Sequence, residues 1–372
     1  TYIDHETANG VPLVLETTSD TELMNNPRAS VQQVYGRIME DLDEAITLLT
    51  GASARADKAE ISVEVAYGLR ARANLLMGKW AAAASDAAKA YGTSAPYSVA
   101  DVSQPTFYNA TDNAWIWGIV VTTEDYLAKT GIVNWPSNLC SLTGMGYTTA
   151  ASATDVAYRL INKNLWAKIP ETDVRKGWWV DEDLHSPVLD NGLGEDYAYY
   201  WANGMFNGGT FPSKFSPYTN VKFGPDNGTF ADTDNAQDWP LMRVEEMKLI
   251  EAEALGRDNL ATGKQKLEEF VRQYRDPSYT CTAGSLDAFI DEVWFQRRVE
   301  LWGEGFALFD ILRLKKPIIR QGANYPINST FAEIAAEAPI MIYRIPEAET
   351  SVNSAITEAD NNPAAMAPTP VN

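Results

Sequence analysis

The sequence predicts a mostly α-helical protein of stacked helix pairs, interrupted by a large irregular insertion rich in aromatic residues. Three observations lead there. Apolar residues recur at steps of three and four before residue 96 and again after residue 240, the period of an amphipathic helix. An alanine-dominated segment, WAAAASDAAKAY, follows another helical stretch across a single glycine, Gly78. Residues 97–240 differ in composition, holding 8 of the 11 tryptophans in about two-fifths of the chain. The expected division is therefore a helical-repeat part at 1–96, an irregular region at 97–240, and a second helical-repeat part with a C-terminal tail at 241–372.

The first strong helix is read as Val31 to Leu49, with Val31, Val34, Tyr35, Ile38, Leu42, Ile46 and Leu49 on one stripe. Ser30 is its N-cap and Gln33 the capping-box partner. Ser62 caps a second helix running to about Leu76, which Gly78 stops. A third runs from about Lys79 to Tyr91 and ends at Gly92. Alanine is the best helix former, and its small side chain lets another helix approach closely. The spacing Ala71, Gly78, Trp80, Ala83, Ala90, Pro96 follows the tetratricopeptide pattern, and one such repeat cannot bury its own face, so others must stack on it. They are read after residue 240: MRVEEMKLIEAEALG, Ala261 to Tyr274, Leu286 to Trp302, and Phe306 to about Leu314. The Leu286 helix carries Leu286, Phe289, Ile290, Val293, Trp294, Arg297 and Leu301 on one face.

Within the irregular region, Ala114 to Thr122 (AWIWGIVVT) reads as a strand, because it is β-branched and aromatic. Ala153 to Leu165 reads as a helix. Much of the remainder, such as NGLGEDYAYYWANGMFNGGTFP, is loop-like, and long ordered loops usually carry function. The last dozen residues, NNPAAMAPTPVN, read as a loose or extended end.

The 372 residues suffice for a large core in one domain or two. The net charge of −20 repels phosphate backbones and anionic membrane surfaces, and no basic run offsets it. Nucleic acid is thus excluded as a partner. Two cysteines, Cys140 and Cys281, are too few for a disulfide scaffold or a thiolate zinc site. One disulfide and two buried thiols both remain open. Two histidines, His5 and His185, cannot form a three-histidine zinc site. No run of 18 apolar residues crosses a bilayer. No signal peptide is visible, and the abrupt start at TYIDHETANG reads as a fragment or a processed product.

Nucleophile elbows, phosphate loops, G-x-G-x-x-G after a strand and H-E-x-x-H are all missing, which argues against the common hydrolase, kinase and dehydrogenase classes. Glycosidases need only two carboxylates, and no spacing marks such a pair here. Asp226, Asp232, Asp234 and Asp238 are calcium candidates by oxygen count, although they lack the EF-hand spacing, and a solvated acidic loop is the competing reading. Aromatic faces stack on the apolar C–H faces of sugars, while Asn, Asp, Gln and Arg bond the hydroxyl rim. Trp135, Tyr147, Tyr199, Tyr200, Trp201 and Asn203 sit among Gly, Asn and Ser, as such a platform requires. Trp115 and Trp117 alternate in a strand and share one face, so they are read as core. Trp178 and Trp179 point to opposite faces if extended, so at most one is exposed.

The C-terminal run QRRVELWGEGFALFDILRLKK resembles the E-R-x-x-E-L-x-x-E-G-x-R-x-x-D-L-x-R-W run of the SusD/RagB family. Arg297, Glu300, Leu301, Glu304, Gly305, Asp310 and Arg313 match, whereas Gln296, Ala307, Ile311 and Leu314 depart. The run reads as a helix, a glycine-hinged turn and a second helix laced by charge pairs, with a structural role. Arg243, Glu246, Leu249, Ala252, Glu253 and Ala254 resemble another family helix, and Asp173 with Arg175 resembles its D-x-R segment. Arg344, Ile345, Pro346, Asn362, Pro363, the GVPLVLETT loop, and Arg28, Ser30 and Val31 fit in order. Members are usually longer, beginning with a signal peptide, a lipid-bearing cysteine and further helices, so the N-terminal portion of the repeat array is expected to be truncated here.

The resemblance implies a non-enzymatic, surface-exposed lipoprotein of the outer membrane of Gram-negative bacteria. Such a protein captures oligosaccharides with no cofactor and delivers them to a SusC-like TonB-dependent transporter. Contact with the membrane is then only through an N-terminal lipid anchor outside this chain. The helical repeats are expected to face the transporter and the irregular region to face ligand. A peptide-binding member of the same family, a protein-only tetratricopeptide adaptor and a glycosidase are the alternatives.

Overall fold

The computed structural model describes residues 2–126, 128, 159–203, 214–224, 236–331 and 333–371. The described helices of seven residues or more are α1 (Val31–Leu49), α2 (Val63–Leu76), α3 (Trp80–Tyr91), α4 (Pro187–Leu193), α5 (Glu195–Ala202), α6 (Val244–Asp258), α7 (Leu260–Tyr274), α8 (Leu286–Glu300) and α9 (Ala307–Arg313). Two small antiparallel ladders accompany them, β1 (Asn9–Pro12) with β2 (Arg28–Ser30) and β3 (Trp115–Ile119) with β4 (Trp239–Arg243). The mostly helical class read from the sequence holds.

Local chemistry sets the helix ends. Ser30 Oγ accepts from Gln33 N at 3.1 Å, and Gln33 Oε1 accepts from Ser30 N at 2.8 Å, so the predicted capping box starts α1. Ser62 stands at the N-cap of α2 but makes no capping bond, and its buried hydroxyl has no partner. The α2–α3 turn passes through Gly78 at φ +72°, a conformation that a side chain disfavours. Ala83, Ala84, Ala87 and Ala90 are buried, which brings α3 against both α2 and α6. The crossing of α6 and α7 is closer still: a Cβ on Gly263 would lie 2.3 Å from Gly256 Cα.

Three buried clusters make up the core among the described residues. One joins α2, α3, β3, β4 and α6, around Val65, Ala83, Met242 and Met247. A second sits among α6, α7 and α8, around Leu249, Leu267, Phe270 and Phe289. The third fills the irregular region with Phe107, Trp115, Trp178, Trp179, Val180 and Val221. Here the loop-like reading needs revision: its segment NGLGEDYAYYWA falls largely in the helices Pro187–Leu193 and Glu195–Ala202, and residues 214–224 form a backbone spine. Val221 N donates to Trp178 O at 2.8 Å, Val180 N to Thr219 O at 3.0 Å, Ile161 N to Tyr218 O at 3.1 Å and Thr106 N to Lys222 O at 3.1 Å. Isolated bridges satisfy the polar backbone there, so Thr219, Asn220 and Lys222 are fully buried without a regular sheet.

Other expectations are corrected. The helix expected at Ala153 to Leu165 shrinks, among its described residues, to one turn at Lys163–Trp166. Leu160 instead bridges Thr219, and Asn162 Oδ1 accepts from Asn164 N, restarting the chain as a short capped turn. Trp115 and Trp117 do not share a face. The β3–β4 register slips between them, so Trp115 enters the irregular-region core while Ile116 and Trp117 pack on the helical one. Trp178 and Trp179 are both buried, in keeping with the reading that at most one is exposed. The tail is tied down rather than loose. Arg28 donates to Asp360 O and Asn362 Oδ1, Arg344 Nε donates to Asn362 O, and Val371 N donates to Thr330 O at 2.8 Å. Cys281 is buried, and Cys140 lies outside the described residues.

The irregular region meets the helices across a buried ion network. Its cations are Arg175, Lys222, Arg243 and Arg275, and its anions are Asp173, Glu245, Glu300 and Glu304. Glu300 stands at the centre. It accepts from Arg275 Nε and Nη2, each at 2.8 Å, and from Arg175 Nη1 at 3.3 Å, with Arg243 at 3.4 Å. Burial works to raise the Glu300 pKa, but Arg275, Arg243 and Arg175 hold it well below the usual carboxylate range. Burial pushes the Lys222 ammonium down to about 8 against the pull of Glu304. Its Nζ donates to Glu300 O, Trp302 O and Glu304 Oε1 and faces the Phe107, Trp178 and Phe223 rings. A second set links α6, α8 and α9: Glu253 takes Arg313 and Arg257, while Asp310 takes Arg297 and Arg313. Paired and hydrogen-bonded in this way, the eight charges of the first network can be buried; single ones cannot.

Candidate functional site

The tyrosines expected in a ligand platform are carried by α5. Glu195 and Asp196 occupy its first turn, where the helix dipole favours negative charge. Ala198 and Ala202, one turn apart, are buried in the irregular-region core and fix which face points inward. Tyr199 and Tyr200 consequently lie outside, 57% and 49% exposed, with ring centroids 6.0 Å apart and planes at 71°. Two exposed rings set edge to face offer apolar surface to one sugar unit or two neighbouring ones. Asn203 is spent on its own backbone, Nδ2 donating to Tyr199 O at 3.0 Å, so its amide closes the helix end. The backbone of Trp201 continues the helix beside the two tyrosines. Trp135 and Tyr147 lie outside the described residues.

Helix α4 packs on α5 and forms one wall of a cleft of about 470 Å³. Its wall residues include Trp166, Asp173, Lys176, Trp179, His185 and Asn191. Ser186 starts α4, its hydroxyl accepting from Val188 N and Leu189 N, with Pro187 at the first turn. Trp179 is 1% exposed, and its buried Nε1 has no partner. An orphaned donor beside a cleft is a place for a hydroxyl or a water to bind. Around it stand the His185–Asp190 pair at 2.6 Å and the Lys176 ammonium, 4.4 Å from the Trp166 ring centroid. Asp181 holds the cleft loop by accepting from Asp183 N and His185 N, each at 2.9 Å. The cleft thus combines an aromatic wall, one unpaired donor and several polar side chains, the ingredients of a saccharide subsite.

Sequence reasoning missed this cleft. Its wall runs from Ser103 to Asn191 and is drawn together by long-range contacts such as the bridge Trp179↔Asn220 and Asn191 Nδ2 donating to Ser103 O at 2.9 Å. The one local signal was Asp173 with Arg175, whose carboxylate and guanidinium bond at 2.6 Å and anchor the cleft on Glu300.

Asp226, Asp232 and Asp234 lie outside the described residues. Asp238 is structural: its oxygens accept from Ala110 N and Val121 N, each at 2.8 Å, tying two loops to β4. Among the described residues no cluster of three or more metal-ligating side chains occurs, and no helix is long and apolar enough to cross a membrane.

A model described as the SusD family matches residues 148–363, more than half of the chain. Solved structures of that family share the fold. A SusD-like carbohydrate binding protein from Bacteroides vulgatus is 22% identical, with a TM-score of 0.70 over 95% of this chain and 71% of that one. A SusD superfamily protein from Bacteroides thetaiotaomicron is 20% identical, with a TM-score of 0.71 over 98% and 73%. A second superfamily protein from Bacteroides vulgatus gives 22%, 0.70, 98% and 72%. The chain therefore spans less than three-quarters of these relatives' length. A search of curated proteins finds no match.

Proposed function

The chain belongs to the SusD family, and on that footing we propose that it captures oligosaccharides at the cell surface without chemistry. The observation that carries this reading is the pair of exposed tyrosines on α5, whose neighbour α4 lines a polar cleft in which the buried Trp179 donor has no partner. A sugar ring presents what these groups lack, an apolar face for the tyrosines and a hydroxyl for the indole N–H. The carbohydrate-binding name of the Bacteroides vulgatus relative supports the same assignment.

In this proposal the protein is a lipoprotein of the outer membrane. The helical pairs dock on a SusC-like TonB-dependent transporter, and the irregular region at 97–240 faces the glycan. Helical-repeat surfaces suit extended docking, and the ion network holds the two parts in a fixed relation. Trp135, Tyr147 and Trp201 belong to the proposed platform with Tyr199 and Tyr200, and Asn203 joins it through Oδ1, its Nδ2 being held by Tyr199 O. The test is a panel of polysaccharides with sugar-chain analysis of each mixture. Binding with chain length preserved supports capture, and release of shorter sugars overturns the non-enzymatic assignment.

A further inference from the structure

A second cleft, of about 360 Å³, opens between α8, the turn at 301–306, the segment 317–325 and the irregular-region residues Leu160, Asn162 and Leu165. Its walls are aromatic: Trp294, Trp302, Phe306 and Tyr325. Three nitrogen donors in those walls lack a partner. Arg297 is 4% exposed and spends Nε on Asp310, while its buried Nη1 has none. The buried Trp294 Nε1 has none either. Arg298 sits over the Trp294 ring, 4.8 Å from its centroid, and among the described residues no carboxylate pairs with it. Every other guanidinium lining the cleft or joined to its walls through Asp310 has such a partner, as with Arg297 and Arg313. Half-buried cations are seldom left without a carboxylate, because desolvation is then uncompensated; burial lowers the Arg298 pKa, with Tyr325 rather than a carboxylate working against it. An arginine fork stacked on tryptophan suits a planar anion bonded in two places.

We propose that this cleft binds a carboxylate-bearing sugar, a uronic acid unit of an acidic glycan, with its carboxylate on Arg298 and its ring against Trp302; the Trp294 ring is taken by Arg298 and by Lys316, whose ammonium is 5.3 Å from its centroid. The inference rests on the glycan-capture reading and deepens it by naming a substrate class. The net charge of −20 opposes an anion at long range. That field is screened over about 8 Å at physiological salt, whereas Arg298 acts in contact.

The experiment is calorimetric titration of the full chain with short galacturonate and glucuronate oligomers, their neutral galactose and glucose counterparts, and sodium acetate. Wild type is compared with Arg298→Gln and Arg298→Lys. Arg298 leaves no stranded acid when replaced, so both variants are expected to fold. The acidic oligomers are expected to bind wild type more tightly than the neutral ones. Arg298→Gln is expected to lose about tenfold or more of that affinity, the scale of a charged hydrogen bond, with Arg298→Lys between the two and neutral binding equal in all three. Equal uronate affinity in wild type and Arg298→Gln overturns the proposal. Neutral glycans bound with no uronate preference overturn it and leave the capture reading standing. Acetate or uronate binding sensitive to Arg298, with no longer glycan held, overturns capture and keeps a carboxylate site.

Discussion

Replacing Glu300 by Gln removes one charge and preserves the side chain's shape at the centre of the buried network. Three guanidinium groups lose an anionic partner: Arg275, bound at two points of 2.8 Å, Arg175 at 3.3 Å and Arg243 at 3.4 Å. Arg275 keeps Glu245 at 3.1 Å, Arg243 keeps Glu304 at 2.8 Å, and Arg175 keeps Asp173 at 2.6 Å, so the loss is partial. The network nevertheless acquires an uncompensated positive charge where no water reaches. Stranding one member of a buried pair costs about 3–5 kcal/mol. Scaling the unfolding entropy to 372 residues, that corresponds to a fall of about 4–6 °C in melting temperature. Far-UV circular dichroism reads the helices and tryptophan fluorescence reads chiefly the irregular region, so both signals should shift. The matched control is Glu171→Gln, whose carboxylate pairs with Lys176 while 86% exposed; surface pairs of that kind contribute little, and a shift of no more than about 1 °C is expected. A Glu300→Gln protein melting within about 1 °C of wild type in both signals would refute the assignment of this network as the joint between the two parts.

Stability should hold from neutral pH to about 4.5 and fall as acid is added toward pH 2. Burial favours the acid form of Glu253, Glu300 and Glu304, but their arginine and lysine partners win, leaving Glu253 at about 2 and the others below their ordinary values. The stability they confer is present above the unfolded carboxylate range and lost as pH drops through the folded values; equal urea midpoints at pH 5 and pH 3 would contradict this. Gly263→Ala forces a Cβ to within 2.3 Å of Gly256 Cα, a backbone that cannot swing aside, and should cost about 1–3 kcal/mol or more in urea unfolding. Tyr199→Ala with Tyr200→Ala should leave the melting temperature within about 1 °C, since both rings are exposed, and weaken glycan binding by about tenfold or more on the scale of aromatic stacking. Trp201→Ala and Trp135→Ala should weaken it likewise, and unchanged titrations in all of these variants would remove the platform from the site.

The helical parts were legible because their signals are local. The Ser30–Gln33 box, Gly78, the alanine face of α3 and the Phe289–Val293–Arg297 stripe of α8 each act within a turn or two of the chain. The signature charges were legible as charges, through resemblance, yet their partners were not. Glu300 meets Arg175 across 125 residues and Arg275 across 25, and no periodicity encodes such separations. The spine at 214–224 carries no local signal for the same reason, since its hydrogen bonds go to Thr106, Ile161 and Trp178, all far away in sequence. Of the platform, Tyr199 and Tyr200 were visible as aromatic residues among Asn and Gly. Their exposure follows from Ala198 and Ala202 facing inward, which the short helix settles. The slip between Trp115 and Trp117 is a tertiary effect of pairing with β4, invisible to simple alternation.

The central claim, glycan capture by the irregular region without catalysis, is tested most directly by affinity electrophoresis of the full chain. The gels would contain plant, host and microbial polysaccharides, and the polymer's chain length would be checked afterwards. The account predicts retardation by at least one class, weakened in the Tyr199→Ala/Tyr200→Ala double variant, with chain length unchanged. A folded wild-type chain that runs unretarded through every gel, or one that shortens the polymer, would contradict it.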